Sequence, residues 1–261
     1  MSKPCITIKS LSMTYKAKGF EVHCLDNISI EVQEEEFVTF IGPSGCGKST
    51  LLKLVAGLLQ PTGGEIWMDG RRVTEPTGKV GFVFQNPVLL NWRTVLDNVL
   101  LPIEIIGEDV EKYREKAMGL LELTGLKGFE HRYPRELSGG MQQRVSICRA
   151  LITDPEILLM DEPFGALDAI TREQMNLELT RIWQTQRKTV LFVTHSIPEA
   201  VFLSDRVVVM SHRPAHIVEE VKVNLPRPRA MSSPQFLKYV DKIRGLLGLT
   251  KPLKASSALG E

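Results

Sequence analysis

The chain has 261 residues, of which 43% are hydrophobic and 24% are charged, enough apolar content for a sizeable core in one or two domains. Its 32 basic and 31 acidic side chains leave a net charge of +1, whereas nucleic-acid-binding domains are usually strongly basic. The first residues lack the apolar run of a signal peptide, and no stretch approaches the roughly 18 apolar residues that span a bilayer. The four cysteines follow no metal-ligand spacing, which fits a reducing compartment. We therefore expect a soluble, cytoplasmic protein that does not bind nucleic acid.

The N-terminal part of the sequence predicts short strands around a glycine-rich loop. Residues 6–9 and 28–32 are predicted as strands, with a polar, turn-rich segment between them. The apolar run 37–41 predicts a strand that leads directly into the glycine-rich loop. Residues 49–59 then predict a helix, which ends before Pro61. Two more strands are predicted at residues 64–70 and 80–84.

Helical patterns dominate the next part of the chain. Residues 89–152 contain no convincing strand, which indicates a helical subdomain inserted into the fold. Its helices are predicted at residues 95–101, 110–123 and 141–152.

Beta structure returns after the insertion. Three continuous apolar runs are typical of strands that are buried on both faces of a parallel sheet, at residues 157–160, 189–193 and 206–210. The helix between the first two carries an apolar stripe at Met175, Leu179, Ile182 and Trp183. Alternation of strand and helix predicts a doubly wound α/β core.

The last part of the chain has a different composition. Residues 224–229 form a proline-rich connector, and Ser233 and Pro234 then predict the N-cap and first residue of a short helix. The last dozen residues are predicted to be disordered. We therefore divide the chain into a domain at 1–223 and a C-terminal segment at 224–261.

The glycine-rich loop carries the pattern Gly-x-x-x-x-Gly-Lys-Ser/Thr of a phosphate-binding P-loop. Its glycines let successive backbone N–H groups point at one anion, and the following helix adds its positive end. Lys48 is expected to reach the β- and γ-phosphates and Ser49 to bind Mg²⁺. The alternative is a flexible glycine turn, but the position between a strand and a helix favours phosphate binding. The candidate nucleotide-binding residues here are Gly42, Pro43, Ser44, Gly45, Cys46, Gly47, Lys48, Ser49 and Thr50.

Two carboxylates, Asp161 and Glu162, follow the strand predicted at 157–160. The carboxyl ends of parallel strands form the edge of a sheet at which α/β proteins bind ligands. Asp161 is expected to hold the hydration shell of Mg²⁺, and Glu162 to act as general base on the attacking water. An ordinary acidic strand end is the alternative, but the P-loop upstream favours nucleotide hydrolysis.

Between these motifs, residues 137–144 read Leu-Ser-Gly-Gly-Met-Gln-Gln-Arg. A serine hydroxyl and glycine N–H groups at the head of a helix form another anion site, although alone they could simply cap the helix. This stretch resembles the signature sequence of ABC ATPases, and the resemblance extends over about residues 6–220. It implies an α/β P-loop NTPase fold of the ABC type, with a mostly parallel sheet core, an N-terminal antiparallel β part and a helical subdomain insertion.

The resemblance implies roles for further residues. Tyr15 is similar in position to an aromatic that stacks on adenine, and Gln85 to a glutamine that contacts Mg²⁺ and the attacking water. Asp168 resembles the D-loop aspartate, and His195 resembles the switch histidine that contacts the γ-phosphate. Taken alone, Tyr15, Gln85 and His195 also fit an ordinary structural or solvated position. The implied cofactors are ATP and Mg²⁺, the implied catalytic residues are Glu162, His195 and Gln85, and the implied Mg²⁺ ligands are Ser49, Gln85 and Asp161.

The resemblance also implies a dimer that encloses ATP. In this family the signature of one subunit closes over ATP held by the P-loop of the other. The second copy would therefore supply Ser138, Gly139, Gly140 and Asp168 to each site. Two ATP molecules hold such a dimer shut, and hydrolysis lets it reopen.

The family resemblance further implies membrane partners. The family docks a permease on the helical insertion after Gln85, where Trp92 is a candidate anchor or, equally, a core residue. Separate transmembrane permease subunits, and indirectly a periplasmic or lipoprotein substrate-binding protein, are implied, as in bacterial importers. The chain would then be peripheral, at the cytoplasmic face of the inner membrane. Residues 161–168, 194–200 and 227–229 most resemble the nitrate/sulfonate/taurine importer group.

Three other functional classes are less consistent with the sequence. A soluble ABC ATPase acting on nucleic acid or the ribosome would carry a long internal coiled coil or two tandem cassettes, and neither is present. A nucleotide kinase would lack the signature and the Asp-Glu pair. A nucleotide-binding scaffold without turnover would not need Glu162 and His195.

Overall fold

The structure, a computed structural model, describes residues 4–17 and 19–249. Within these ranges the strands are β1 (Ile6–Ala17), β2 (Phe20–Val32), β3 (Phe37–Ile41), β4 (Gly63–Met68), β5 (Arg71–Arg72), β6 (Val80–Val83), β7 (Ile157–Asp161), β8 (Thr189–Thr194), β9 (Arg206–Met210) and β10 (Ile217–Lys222). The α-helices are α1 (Lys48–Val55), α2 (Val95–Ile105), α3 (Val110–Leu123), α4 (Gly139–Leu151), α5 (Ala169–Thr185), α6 (Ile197–Leu203) and α7 (Pro234–Leu246).

A six-stranded sheet with the order β10-β9-β3-β8-β7-β6 forms the centre of the fold. All its pairings are parallel except that of β10 with β9. Every residue of β3, β7 and β8 is buried, as continuous apolar runs predict for strands covered on both faces. The predicted mostly parallel core is therefore confirmed. Because these three strands are parallel, the segments that follow their carboxyl ends meet at one edge of the sheet.

A second, antiparallel sheet with the order β2-β1-β4-β5 confirms the N-terminal β part. The predicted turn-rich segment between residues 9 and 28 is wrong, because β1 and β2 continue through it as one long hairpin. Their pairing contains several register shifts, and Ser10 and Asn27 have positive φ values of 45° and 49°. Such bulges interrupt the alternation of apolar and polar residues by which strands are recognised.

Three helices, α2, α3 and α4, occupy the predicted insertion and pack together around fully buried side chains such as Val99, Leu121 and Val145. Helix α3 has the predicted bounds, whereas α2 extends to Ile105 and α4 begins at Gly139. None of the helices in residues 4–17 and 19–249 is long and apolar enough to cross a membrane.

Several short elements differ from the predictions. The helix after the P-loop ends at Val55 rather than residue 59, because the chain turns at Gly57 with a φ of 72°. Helix α6 and strands β5 and β10 were not predicted. Helix α6 has only seven residues and contains a proline, and β10 alternates between half-buried and exposed residues for most of its length.

The C-terminal helix α7 begins as predicted, with Ser233 as the N-cap whose hydroxyl accepts from the Phe236 N–H. Its apolar face joins the main core, since Phe236, Val240 and Ile243 are at most 4% exposed. The division of the chain at residue 223 stays a prediction. The predicted disorder of the last dozen residues lies outside the described part of the chain.

Candidate nucleotide-binding site

The loop between β3 and α1 has the shape expected of an anion-binding P-loop. Lys48 is 4% exposed, and its Nζ donates to the carbonyl oxygens of Gly42 at 2.9 Å and Pro43 at 3.0 Å. Gly47 has a φ of 123°, and a Cβ there would lie 2.8 Å from Cys24 Sγ, so only glycine fits. No side chain caps the N-terminus of α1. Its free N–H groups and its dipole can therefore bind a phosphate.

The P-loop is joined to the end of β7 by one hydrogen bond. Ser49 Oγ donates to Asp161 Oδ1 at 2.8 Å, although the two residues are 112 positions apart. Asp161 is 7% exposed, and its burial raises the pKa of the carboxyl above its ordinary value. A hydroxyl and a buried carboxylate thus lie side by side next to the phosphate-binding loop.

Glu162 lies between two other site residues. Its Oε1 is 4.0 Å from Lys48 Nζ, and its Oε2 is 3.1 Å from His195 Nδ1. Because an ionised carboxylate only accepts hydrogen bonds, Nδ1 carries the proton in the second contact. Glu162 also has a positive φ of 44°, which is uncommon for a residue with a side chain and is concentrated at functional sites. The backbone is therefore held in an unfavourable conformation where a catalytic carboxylate is expected.

A cleft of about 210 Å³ opens over the P-loop. Tyr15 lies at the side of this cleft and is 40% exposed, and its hydroxyl is 3.1 Å from Thr50 Oγ1. The cleft is lined by Tyr15, Val22, Cys24, Gly45, Gly47, Lys48, Ser49, Thr50, Glu162 and Arg213. Arg213 has no place in the sequence-based prediction of the site.

The structure does not bring every predicted residue to this cleft. Gln85 is exposed beyond the end of β6. Ser138 accepts from the Met141 N–H at 3.3 Å as the N-cap of α4, and Asp168 accepts from the Ile170 N–H at 3.1 Å as the N-cap of α5. Among residues 4–17 and 19–249, no hydrogen bond or ion pair joins the P-loop to Gln85, Ser138, Gly139, Gly140 or Asp168.

The beginnings of α4 and α5 lie against each other. A Cβ on Gly140 would be 2.8 Å from Thr171 Cγ2, and Thr171 donates to the carboxylate of Asp168 at 2.6 Å. Ser138 and Asp168 are both exposed. The beginnings of α4 and α5 therefore form one surface, and none of its residues named here lines the P-loop cleft.

Two arginines that the sequence analysis missed hold the loops around the site. Arg172 donates to the carbonyl oxygens of Phe164 at 3.2 Å and Leu167 at 2.8 Å, and so fixes the segment that leads to Asp168. Arg149 donates in the same way to Pro87 and Val88, just after Gln85. Both lie on helices where nothing in the sequence distinguishes them from surface arginines.

Comparisons with known proteins point to one family. A family model described as "ABC transporter" matches residues 25–165. An uncharacterized ABC transporter ATP-binding protein of Methanocaldococcus jannaschii is 51% identical over 93% of this chain and 91% of its own. An aliphatic sulfonates import ATP-binding protein of Bacillus cereus is 45% identical over 91% of this chain and 94% of its own length. A taurine import ATP-binding protein of Rhizobium johnstonii is 46% identical over 92% of this chain and 94% of its own length.

Solved structures show the same similarity. A dimeric bacterial ABC transporter cassette matches with a TM-score of 0.75 and 35% identity, over 85% of this chain and 100% of that one. A dimeric post-hydrolysis state of the same cassette, bound to ADP and Pi, has a TM-score of 0.74 and 34% identity at the same coverage. The matched family model covers more than half of the chain, and it spans the P-loop, the signature and the Asp161–Glu162 pair. From the sequence, the fold and these matches together, the chain belongs to the ABC transporter family, as one of its ATP-binding subunits.

Proposed function

We propose that this chain hydrolyses ATP to drive the import of a small organic sulfonate through separate permease subunits. The observation that carries the hydrolytic part is the placement of Glu162 between Lys48 and His195, at the mouth of the P-loop. The substrate class rests on the import proteins for aliphatic sulfonates and taurine, which are 45% and 46% identical to the chain.

ATP would bind with its phosphates at the P-loop and its base toward Tyr15. The phosphates meet free N–H groups of α1 and the Lys48 ammonium, which now donates to two loop carbonyls. The ring of Tyr15, held through its hydroxyl by Thr50, is exposed enough to stack on adenine. Tyr15 and Lys48 line the same cleft, which supports this orientation.

Mg²⁺ fits the oxygen atoms beside the P-loop. It prefers oxygen donors, keeps several waters, and takes one or two protein ligands in addition to substrate phosphates. Ser49 Oγ and Asp161 Oδ1, 2.8 Å apart, are such a pair, and Gln85 is the further ligand suggested by the resemblance. When bound, the ion would neutralise negative charge that develops on the phosphates.

Hydrolysis would use Glu162 as the general base. Its carboxylate would accept a proton from the water that attacks the γ-phosphate. His195 donates its Nδ1–H to the same carboxylate and so orients it. The ring of His195 is half exposed, and it is therefore available to contact the γ-phosphate. Gln85, which is exposed and does not line the cleft, would join this group through a movement of its loop.

We assign the surface formed by the exposed Ser138, Gly139 and Asp168, together with the buried Gly140, to a second copy's site. The helix N-terminus at Ser138 carries a partial positive charge, which complements the γ-phosphate of an ATP on the partner. Because this surface lies apart from the P-loop cleft of its own chain, it is free to close over another one. ATP would then be enclosed between two copies.

A permease would dock on the loop that follows Gln85. Trp92 is 74% exposed and Val88 is 62% exposed, which favours the docking role of Trp92 over a core role. Asn98 is fully buried, and its side-chain amide fixes this loop. Its Oδ1 accepts from the Leu90 N–H, and its Nδ2 donates to the Leu90 carbonyl oxygen. A rigid loop that displays a large aromatic side chain is typical of a protein interface. Such docking would place the chain at the cytoplasmic face of the membrane, where a substrate-binding protein acts only indirectly.

Uptake of labelled taurine and of an alkanesulfonate by cells that lack the chain tests this proposal. We expect the wild-type chain to restore uptake of at least one of them, and Trp92→Glu to reduce it about tenfold, because a charge replaces the aromatic anchor. Purified Trp92→Glu should bind ATP like the wild type. Phe20→Glu, which changes a similarly exposed aromatic on the β1–β2 hairpin, is the matched control and should restore uptake fully.

Two results would contradict the proposal. If neither sulfonate depends on the chain for uptake, the substrate class is wrong. If Trp92→Glu supports uptake as well as Phe20→Glu does, the permease docks elsewhere.

A further inference from the structure

The end of β9 and the loop that joins it to β10 lie next to the P-loop. At one end, a Cβ on Gly42 would lie 2.9 Å from the carbonyl oxygen of Met210. Near the other end the link runs through β2: the Ala215 N–H donates to the carbonyl oxygen of Cys24 at 3.0 Å, and a Cβ on Gly47 would lie 2.8 Å from Cys24 Sγ. The β9–β10 loop therefore supports the P-loop from outside the P-loop motif.

Arg213 in this loop reaches the middle of the P-loop. Its Nε donates to the carbonyl oxygen of Gly45 at 3.1 Å, and its Nη2 donates to the same oxygen. Gly45 has a φ of 72°, in the left-handed region that forms an anion-binding turn. The N–H of the same peptide unit, on Cys46, donates to the carbonyl oxygen of Pro43 at 3.3 Å. Arg213 and Pro43 thus hold one peptide unit of the P-loop from opposite sides.

The charge of Arg213 also lies beside the cleft. Its guanidinium makes no ion pair with a carboxylate in the described part of the chain, whereas Lys48 has Glu162 within 4.0 Å. Arg213 lines the same cleft as Tyr15 and Lys48. It therefore adds positive charge, not offset by a close carboxylate, where the phosphates of ATP would bind.

We infer that Arg213 is a positioning residue for ATP: it fixes the Gly45–Cys46 peptide so that the P-loop is shaped for phosphate before ATP arrives. This inference rests on the proposed ATP site. A loop that is ordered in advance binds its ligand more tightly, because binding no longer has to order it. Once ATP is bound, the phosphates themselves hold the loop. The loss of Arg213 should therefore weaken binding more than it slows hydrolysis, since Glu162 and His195 stay in place.

The test compares the ATPase kinetics of the purified full chain in four variants. Arg213→Ala should raise KM for ATP about tenfold and leave kcat within about threefold, as expected for two charge-assisted hydrogen bonds to one carbonyl. Arg213→Lys keeps the charge and one donor. Its KM should fall between the KM of the wild type and that of Arg213→Ala. His212→Ala changes the exposed neighbour of Arg213 in the same loop and should match the wild type. Lys48→Ala should lose ATP binding, and it verifies the ATP site independently of Arg213.

The pattern across these variants decides the inference. An unchanged KM in Arg213→Ala, with ATP binding lost in Lys48→Ala, would overturn the role of Arg213 and leave the ATP site standing. A fall in kcat at unchanged KM in both Arg213 variants, with a lower melting temperature, would reduce Arg213 to a structural residue. If Lys48→Ala binds ATP normally, the proposed site itself is wrong.

Discussion

Replacing Glu162 by glutamine should lower ATP turnover about 10³-fold while ATP binding persists. Glutamine has the same shape but cannot accept the proton of the attacking water, and loss of a general base typically costs 10²–10⁴ in rate. The amide can still bond His195, whose Nδ1 is 3.1 Å from the present carboxylate, so the site should keep its geometry. The measurement is steady-state phosphate release at saturating ATP, with the ATP dissociation constant determined in parallel.

A matched control separates chemistry from charge. Glu108→Gln removes one exposed carboxylate from the surface just before α3 and should leave turnover unchanged. Glu162→Asp shortens the base by one methylene and should retain only a small part of the activity, because the carboxylate no longer spans the distance to its water. Wild-type turnover in Glu162→Gln would show that another group accepts the proton.

Replacing Arg229 by alanine should lower the free energy of unfolding by about 3 kcal/mol or more. Arg229 is 6% exposed, and its guanidinium donates to five backbone carbonyl oxygens, those of Val201, Phe202, Ser204, Val223 and Leu225. Burial lowers its pKa to about 10, so it keeps its proton at neutral pH. Alanine would leave several of these buried acceptors without a donor, at about 1–3 kcal/mol each.

Chemical denaturation of purified variants measures this effect. Arg229→Lys should recover part of the stability, because a lysine ammonium supplies three donors but not the planar fork of arginine. Arg187 stacks on Trp183 at 4.5 Å but is exposed, and Arg187→Ala should cost less than about 1 kcal/mol. Equal stability of Arg229→Ala and Arg187→Ala would mean that the hydrogen bonds of Arg229 contribute little to the free energy of unfolding.

Much of the site was predictable because its residues belong to local patterns. The P-loop is a continuous motif between a strand and a helix, and the apolar run of β7 ends at Asp161 and Glu162. Parallel strand order then explains why Ser49 and Asp161 meet across 112 residues. The family resemblance indicated the remaining positions, and these stay predictions for Gln85, Ser138, Gly139, Gly140 and Asp168.

Arg213 and Arg229 escaped prediction because they act through contacts that are distant in the chain. Arg213 bonds a carbonyl 168 positions away, and Arg229 bonds two carbonyls of α6 that lie 28 and 27 positions before it, so neither belongs to a short pattern. The β1–β2 hairpin was missed for a different reason. Its bulges near Ser10 and Asn27 shift the register, and the alternation of apolar residues is lost although the strands continue.

The central claim is that ATP is enclosed between two copies, with Ser138 of one facing the γ-phosphate held by the other. Light scattering of Glu162→Gln at saturating ATP tests it directly, because this variant should bind ATP without consuming it. We expect twice the 29.3 kDa mass of the chain with ATP, and the mass of a single chain with ADP. Adding Ser138→Asp should abolish the dimer but not ATP binding, since aspartate caps α4 as well as serine does yet repels phosphate. Adding Ser138→Thr, which keeps the hydroxyl, should preserve the dimer. A monomer in Glu162→Gln at saturating ATP, or an undiminished dimer with Ser138→Asp, would contradict the shared site.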